Sequence, residues 1–280
     1  MAAKYGVLVA AMLVSASVSL IAGEQPTVSK TNNVRVLLDS KCHQGAQHLG
    51  TNWPGTCPLC GHKGESPWKG KRLAGLQSAL ESNGYAFEVS DITESNLSTV
   101  SILVVAGRGD PSMFSINEIE AIRKFVQRGG SLLLTANHQG LVAPQNQLTK
   151  ALGLPVTFNQ TTVGMDRQKI ELDADHPIST NCKLGLKIRT SCTMTLTRSP
   201  HATVIASYSD PALGVFAVAV DRPEQAQQAQ SRTVLMPSSG HIASLDDSKT
   251  DLWGSADNAT WMLNIFDWLA FKTTSEPTTR

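Results

Sequence analysis

The sequence predicts an α/β protein with a mostly parallel sheet that is covered by helices. Strand-like and helix-like segments follow one another in the order strand, helix, strand, strand, helix, strand. The strand-like runs, such as residues 101–106 and 132–135, are continuously apolar rather than alternating, which indicates burial on both faces of a sheet. The runs end abruptly in small, glycine or polar residues, which is typical of strands that lead into loops at a sheet edge.

The first predicted elements lie before residue 107. Residues 34–39 form a short apolar run after a polar leader and are expected to be the first strand. A helix is predicted over residues 68–83, because three leucines share one face and Asn83-Gly84 is a typical helix end. Residues 85–89 and 101–106 are expected to be the second and third strands.

A capping box predicts the next helix, since Glu118 follows Ser115 by three residues. Gly129-Gly130 ends this helix, and residues 132–135 are the expected fourth strand. The later elements are a short helix over 148–152, strands over 203–206, 214–220 and 233–236, a polar loop over 224–230 and a terminal helix over 257–271.

The charge of the chain argues against nucleic acid as a partner. The 280 residues include 24 Lys or Arg and 23 Asp or Glu, which gives a formal net charge of +1 without any run of like charges. Nucleic-acid-binding domains instead concentrate basic residues on one surface. The expected partner is therefore an unidentified small molecule or protein.

Residues 1–23 are interpreted as an export signal. Lys4 provides a positive start, residues 7–14 are strongly apolar, and Ala22-Gly23 supplies small residues for cleavage. A membrane anchor is the alternative, although the apolar run contains several serines and polar sequence follows it at once. We expect an exported protein, periplasmic or secreted, with no membrane span in its mature chain. Its predicted parts are a leader over 24–32, a domain over 33–272 and a tail over 273–280.

Polar residues follow the predicted strands at the points where the strands end. Because the carboxyl ends of parallel strands share one edge of a sheet, we expect these residues to form one site. Imidazoles beside a carboxylate could perform acid–base catalysis or hold a metal, and Asn137 could orient a ligand. The alternative for each histidine is an ordinary surface or capping role. The candidates are Asp39, His43, Asn137, His138, His176 and His241, with Cys42, Gly107 and Arg108 beside them.

A loop over residues 42–67, rich in cysteine and histidine, is a candidate metal site. Cys57-Pro58-Leu59-Cys60-Gly61-His62 has the spacing of a zinc knuckle, in which a turn directs both thiolates at one metal ion. The candidate zinc ligands are Cys42, Cys57, Cys60 and His62, with His43 or His48 as alternatives to His62. The competing interpretation is a disulfide, either Cys57–Cys60 or Cys42 to one of them.

Cys182 and Cys192 are expected to form a disulfide. They are ten positions apart in a chain that carries an export signal, and such a bond would staple neighbouring strands. This predicted bond is structural and has no role in the chemistry of the site.

Several short segments together resemble one known group of proteins. They are residues 34–39, 101–107, 118–130 and 132–138, the tripeptide His176-Pro177-Ile178, and the turn at 256–259 with the helix over 261–269. They resemble the class I glutamine amidotransferase-like superfamily, in its non-glutaminase branch. That branch includes exported bacterial proteins and domains related to gliding-motility and intraflagellar-transport accessory proteins. The resemblance spans residues 33–272 and implies a flavodoxin-like three-layer sandwich.

The chain departs from the catalytic pattern of that superfamily. The resemblance implies a cysteine nucleophile after the fourth strand and a downstream His-x-Glu. Here the fourth strand is followed by Ala136-Asn137-His138, and His241 is followed by Ile242 and Ala243. Without a thiolate at that position no acyl intermediate forms, which argues against glutamine hydrolysis.

Two functions remain open at this stage. The first is an exported amidotransferase-like domain that lacks the cysteine nucleophile and binds a ligand or partner at the strand carboxyl ends. The second is a hydrolase or lyase of unknown substrate that uses Asp39, His43 and His138, with or without a metal ion. A metal bound through His138 or His241 would favour the enzyme, whereas one bound only through the cysteine loop would favour a structural role.

Overall fold

Strands and helices alternate along most of the chain. The computed structural model describes residues 34–42, 53–56, 63–64, 73–109, 112–138, 140–164, 169–188, 190–223, 228–240 and 256–272. The strands are β1 (Val34–Asp39), β2 (Trp53–Thr56), β3 (Lys63–Gly64), β4 (Tyr85–Ser90), β5 (Ile102–Ala106), β6 (Ser131–Thr135), β7 (Val156–Phe158), β8 (Ile170–Leu172), β9 (Met194–Leu196), β10 (Ala202–Tyr208), β11 (Val215–Arg222) and β12 (Ser231–Met236). The helices are α1 (Ala74–Ser82), α2 (Glu94–Leu97), α3 (Ile116–Gln127), α4 (Ala143–Leu152) and α5 (Asn258–Leu269). None of these described helices is long and apolar enough to cross a membrane.

Ten of the described strands form one mixed sheet. Its order is β4-β1-β5-β6-β12-β11-β10-β8, with β9 paired to β11 and β7 paired to β9. Neighbours from β4 to β12 are parallel. The pairs beyond β12 are antiparallel. The predicted α/β class is confirmed, and the parallel strands form the part of the sheet that carries the candidate residues.

Helices cover both faces of the parallel strands, because successive strand residues point to opposite sides. In β1, Val36 and Leu38 belong to the apolar core that contains α1 and α5. Leu37 lies between them in sequence and belongs to the second core, which contains α3 and α4. This arrangement is the three-layer sandwich that the resemblance implies, and it explains why the strands have no polar face.

The observed elements extend the predicted ones at several points. Helix α4 begins at Ala143 rather than at 148, with Pro144 in its first turn, where the missing amide proton costs nothing. The short strands β7, β8 and β9 and the helix α2 were not predicted. The predicted helix over 68–83 is described from residue 73 onward and is helical over Ala74–Ser82.

The predicted Cys182–Cys192 disulfide is wrong, since both residues are free thiols. Cys192 is fully buried in the core beside α3 and α4, and its thiol donates to the Pro237 carbonyl over 3.6 Å. Cys182 packs against the core on the other face of the sheet, and its thiol donates to the Thr180 carbonyl over 3.8 Å. The sheet therefore separates the two sulfur atoms, and sequence spacing could not reveal this.

The turn between α3 and β6 requires glycine at position 130. A Cβ on Gly130 would lie far inside van der Waals contact with the ring of Phe125, which is fully buried. We expect Gly130→Ala to lower the free energy of unfolding by about 1–3 kcal/mol, because the buried ring has no space to move. Urea denaturation measures this.

Gly164→Ala is the matched control. Among the described residues, no heavy atom apart from its chain neighbours lies within 4 Å of a Cβ built at Gly164. This variant should stay close to wild type. Equal losses in the two variants would show that the Phe125 contact is not the cause.

Candidate functional site

Buried polar side chains collect where neighbouring parallel strands end. Asp39 is the last residue of β1, and Arg108 and Asn137 each lie two residues beyond β5 and β6. Ser238 and Ser239 follow β12. Each of these five residues is at most 9% exposed. We call this region the carboxyl edge. Ligands of open α/β sheets bind at this position.

Four charged residues form an ion cluster on the side of the carboxyl edge that faces α3. Arg108 Nε lies 3.2 Å from Asp39 Oδ2, and Arg108 Nη2 donates to Glu118 Oε1 over 2.7 Å. Lys41 Nζ donates to the same Glu118 oxygen over 3.1 Å. The side chains of Asp39 and Arg108 are fully buried, and that of Glu118 is 8% exposed. Two cations therefore balance two carboxylates.

The start of α3 holds the ion cluster in place. The Ser115 hydroxyl accepts the backbone amide of Glu118, while Glu118 Oε2 accepts the Ser115 backbone amide over 2.8 Å. The other oxygen of Glu118 is thereby aimed at Arg108. The Arg108 guanidinium lies 4.1 Å from the centre of the Phe114 ring, and the Arg108 carbonyl accepts Gln145 Nε2 over 3.2 Å. The capping box thus has a second role beyond beginning the helix.

The two carboxyl groups of the cluster have opposite pKa shifts. Burial raises the pKa of Asp39 from 3.8 to about 6, and the Arg108 charge and the Lys41 backbone amide offset only part of this rise. Burial also acts to raise the pKa of Glu118, but hydrogen bonds from Arg108 and Ser115 outweigh it and lower that pKa from 4.5 to about 2. Asp39 is therefore the group of the pair that can gain or lose a proton near neutral pH.

Several buried atoms at the carboxyl edge have no hydrogen-bond partner. They are Asp39 Oδ2, Arg108 Nε and Nη1, Thr135 Oγ1, Asn137 Oδ1 and Gln145 Oε1. Asp39 Oδ2 and Arg108 Nε are in ion contact without an aligned hydrogen bond. A buried polar atom without a partner costs roughly 1–3 kcal/mol, so natural proteins rarely tolerate several together without a reason.

Residues 136–138 occupy the place where the resemblance puts a nucleophile. Asn137 Nδ2 donates to Ser239 Oγ over 2.9 Å, which links the ends of β6 and β12 and fixes the orientation of the amide. His138 is buried beside it. A carboxamide held in this way can orient a ligand or accept a hydrogen bond, but it cannot form an acyl intermediate.

The structure brings three of the predicted site residues together. Asp39, Asn137 and His138 lie at the carboxyl edge, as do Cys42, Gly107 and Arg108. His43 and His241 lie outside the described residues. Sequence reasoning did not identify Glu118, Gln145 or Ser239 as part of this region. Glu118 carried a signal through its capping box, whereas the other two carried none.

His176 does not belong to the carboxyl edge, so that prediction is wrong. Its ring lies 5.6 Å from the ring of Trp268, near the end of α5. That end lies at the opposite edge of the sheet, because Ser131, the first residue of β6, donates to the Leu269 carbonyl. His176 Nδ1 accepts the backbone amide of Ile178 and caps a short turn. Burial lowers the pKa of His176.

The predicted zinc site falls mostly outside the described residues. Cys57, Cys60 and His62 belong to that part, as do the alternatives His43 and His48. Cys42 is described and is fully buried just after β1. In the described ranges, no group of three or more His, Cys, Asp or Glu side chains is arranged to hold a metal ion. The zinc site stays a prediction.

Comparison with known proteins identifies the fold. No family model and no curated protein matches the sequence. The N-terminal domain of mmIFT52 has a TM-score of 0.63 at 15% identity, covering 86% of this chain and 99% of that domain. Cytoplasmic protein STM1381 from Salmonella typhimurium LT2 gives 0.56 at 13% identity, covering 84% and 99%. STM3548 from Salmonella typhimurium gives 0.55 at 13% identity, covering 84% and 98%. The chain therefore has a fold similar to that of the IFT52 N-terminal domain.

Proposed function

We propose that this chain is an exported, noncatalytic domain of the glutamine amidotransferase-like superfamily that binds a polar ligand at the carboxyl edge. The observation that carries this proposal is the set of buried polar atoms without partners at the ends of β1, β5 and β6 and in α4. A bound ligand would satisfy these atoms, whose lack of partners otherwise opposes folding. The position after β6 supports binding rather than acyl transfer, since Asn137 stands there.

The cysteines of the described residues also support a noncatalytic domain. Burial raises the pKa of Cys182 to about 11 and that of Cys192 to about 12. Both are thus protonated at neutral pH, and the thiolate is the nucleophilic form of cysteine. Cys42 is buried beside the ion cluster, and we retain it as one ligand of a structural zinc site with Cys57, Cys60 and His62.

We expect no release of ammonia from glutamine above the rate of a protein-free control. The physical reason is the missing thiolate after β6, without which a covalent acyl intermediate does not form. A coupled glutamate dehydrogenase assay on the purified chain measures this. Release of ammonia that His138→Ala abolishes would contradict the proposal, because it would show that the carboxyl edge hydrolyses amides.

A hydrolase or lyase is the second candidate function, and one observation favours it. The pKa of about 6 places Asp39 in the range where a carboxyl group exchanges protons near neutral pH. Against it, Asp39 is fully buried, and Arg108 lies against it. Such an enzyme would lose its turnover on Asp39→Asn, whereas a binding domain has no turnover to lose.

A further inference from the structure

We propose that the ligand of the carboxyl edge is a neutral, hydroxyl-rich molecule, a sugar or cyclic polyol, rather than an anion. This inference rests on the proposed binding function and adds the chemical class of the ligand. Three observations support it, namely the charge balance of the ion cluster, the chemistry of the unpartnered atoms and their placement.

The charge balance disfavours an anionic ligand. Arg108 is the cation nearest to the unpartnered atoms, and its guanidinium already contacts Asp39 and Glu118. Lys41 is bound to Glu118 as well. A carboxylate or phosphate placed on Arg108 would add a third negative charge to a buried group in which two cations balance two anions. Uncompensated charge is costly where water is excluded.

The unpartnered atoms are mainly acceptors. The side-chain oxygens of Asp39, Asn137 and Gln145 can only accept from a ligand when Asp39 is ionised, and the Thr135 hydroxyl can accept or donate. Arg108 Nη1 can only donate. A hydroxyl group both donates and accepts, so one ligand hydroxyl can give its proton to an amide oxygen and accept from Arg108. Neighbouring hydroxyls on one ring can repeat this at adjacent atoms.

The unpartnered atoms come from adjacent elements. The Gly107 amide donates to the Thr135 carbonyl over 3.0 Å, which joins the ends of β5 and β6. Gln145 is tied to the same place by its hydrogen bond to the Arg108 carbonyl. The bond from Asn137 to Ser239 leaves Asn137 Oδ1 as the acceptor without a partner. A rigid ligand with several hydroxyls matches such a fixed set of acceptors better than a single-group ligand does.

Binding of defined probes to the full chain tests this proposal. The neutral probes are glucose, mannose, galactose and myo-inositol, and the anionic probes are inorganic phosphate and acetate. Saturation-transfer NMR and isothermal titration detect binding and measure affinity. We expect at least one neutral probe and neither anion to bind at this edge.

Two variants locate the binding, and a third serves as control. Thr135→Val is nearly isosteric and removes an atom that has no partner, so the fold should be kept while affinity falls by about tenfold. Asn137→Leu should weaken the same probe at least as much. Asn83→Leu makes the same chemical change at the end of α1, where the Asn83 side chain bonds only to the Ala79 carbonyl, and should leave the affinity unchanged.

The outcomes separate the two proposals. Binding of phosphate or acetate that both variants weaken would overturn the inference about ligand class and leave the binding function standing. If no probe binds, or if neither Thr135→Val nor Asn137→Leu changes the affinity, the carboxyl edge is not a small-ligand site. Both proposals would then be wrong.

Discussion

Arg108→Ala is expected to lower the free energy of unfolding by about 3–5 kcal/mol, the largest effect of any single change considered for this chain. The variant leaves Asp39 and Glu118 facing each other across a buried space with only Lys41 to balance them. It also removes the guanidinium that lies on the Phe114 ring. Urea denaturation at neutral pH, followed by far-UV circular dichroism, measures the loss.

Arg123→Ala is the matched control for this prediction. Arg123 pairs with Glu120 on the surface of α3, and more than 40% of each side chain is exposed. Exposed pairs of this kind contribute at most about 0.5 kcal/mol. A loss below 1 kcal/mol in Arg108→Ala would show that the ion cluster is not what holds β1, β5 and α3 together.

The parallel half of the fold could be predicted because burial on both faces leaves a simple signature. Residues 102–106 and 131–135 have no exposed face, so their sequences are nearly continuous apolar runs. Helix α3 carries a signal at both ends, the capping box at Ser115 and the Gly129-Gly130 stop. Local chemistry specifies these elements, and the tertiary structure only confirms it.

The antiparallel part was harder to predict because its elements are short and their signals weak. Strands β7, β8 and β9 have three residues each, and each has a polar residue in the middle. Three residues are too few for an alternating pattern to stand out from loop sequence. The start of α4 was missed for a related reason, since Gln145-Asn146-Gln147 gives no apolar periodicity even though Gln145 is buried.

The position of the candidate site could be predicted, but its interactions could not. Strand ends are recognisable, and so Asp39 and Asn137 were placed correctly. Glu118 meets Lys41 across 77 positions of sequence, and that pairing exists only after β1 and α3 have come together. The two cysteines show the same limit, because their spacing does not say which face of the sheet each one occupies.

The stability of the protein should fall as the pH rises from about 4 to about 6 through the titration of Asp39. Its pKa is 3.8 when unfolded and about 6 in the folded chain, so within this window the native state holds a proton that the unfolded state has released. The free energy of unfolding then decreases with rising pH, by about 3 kcal/mol in total, and the loss is complete above pH 6. Glu118 acts in the opposite direction at lower pH. Its pKa of about 2 adds stability that is present above pH 4.5 and is lost as the pH falls toward 2.

Asp39→Asn isolates this contribution. His176 has a lowered pKa and therefore adds stability as its unfolded form loses its proton with rising pH, which partly masks the Asp39 effect in the wild type. The difference between the wild-type and Asp39→Asn curves cancels the His176 contribution and should decline over pH 4–6, measured by urea denaturation at each pH. Asp210→Asn changes the same kind of side chain on an exposed turn and should reproduce the wild-type slope. If the Asp39→Asn curve keeps that slope as well, Asp39 is ionised throughout the window, and Arg108 compensates its burial fully.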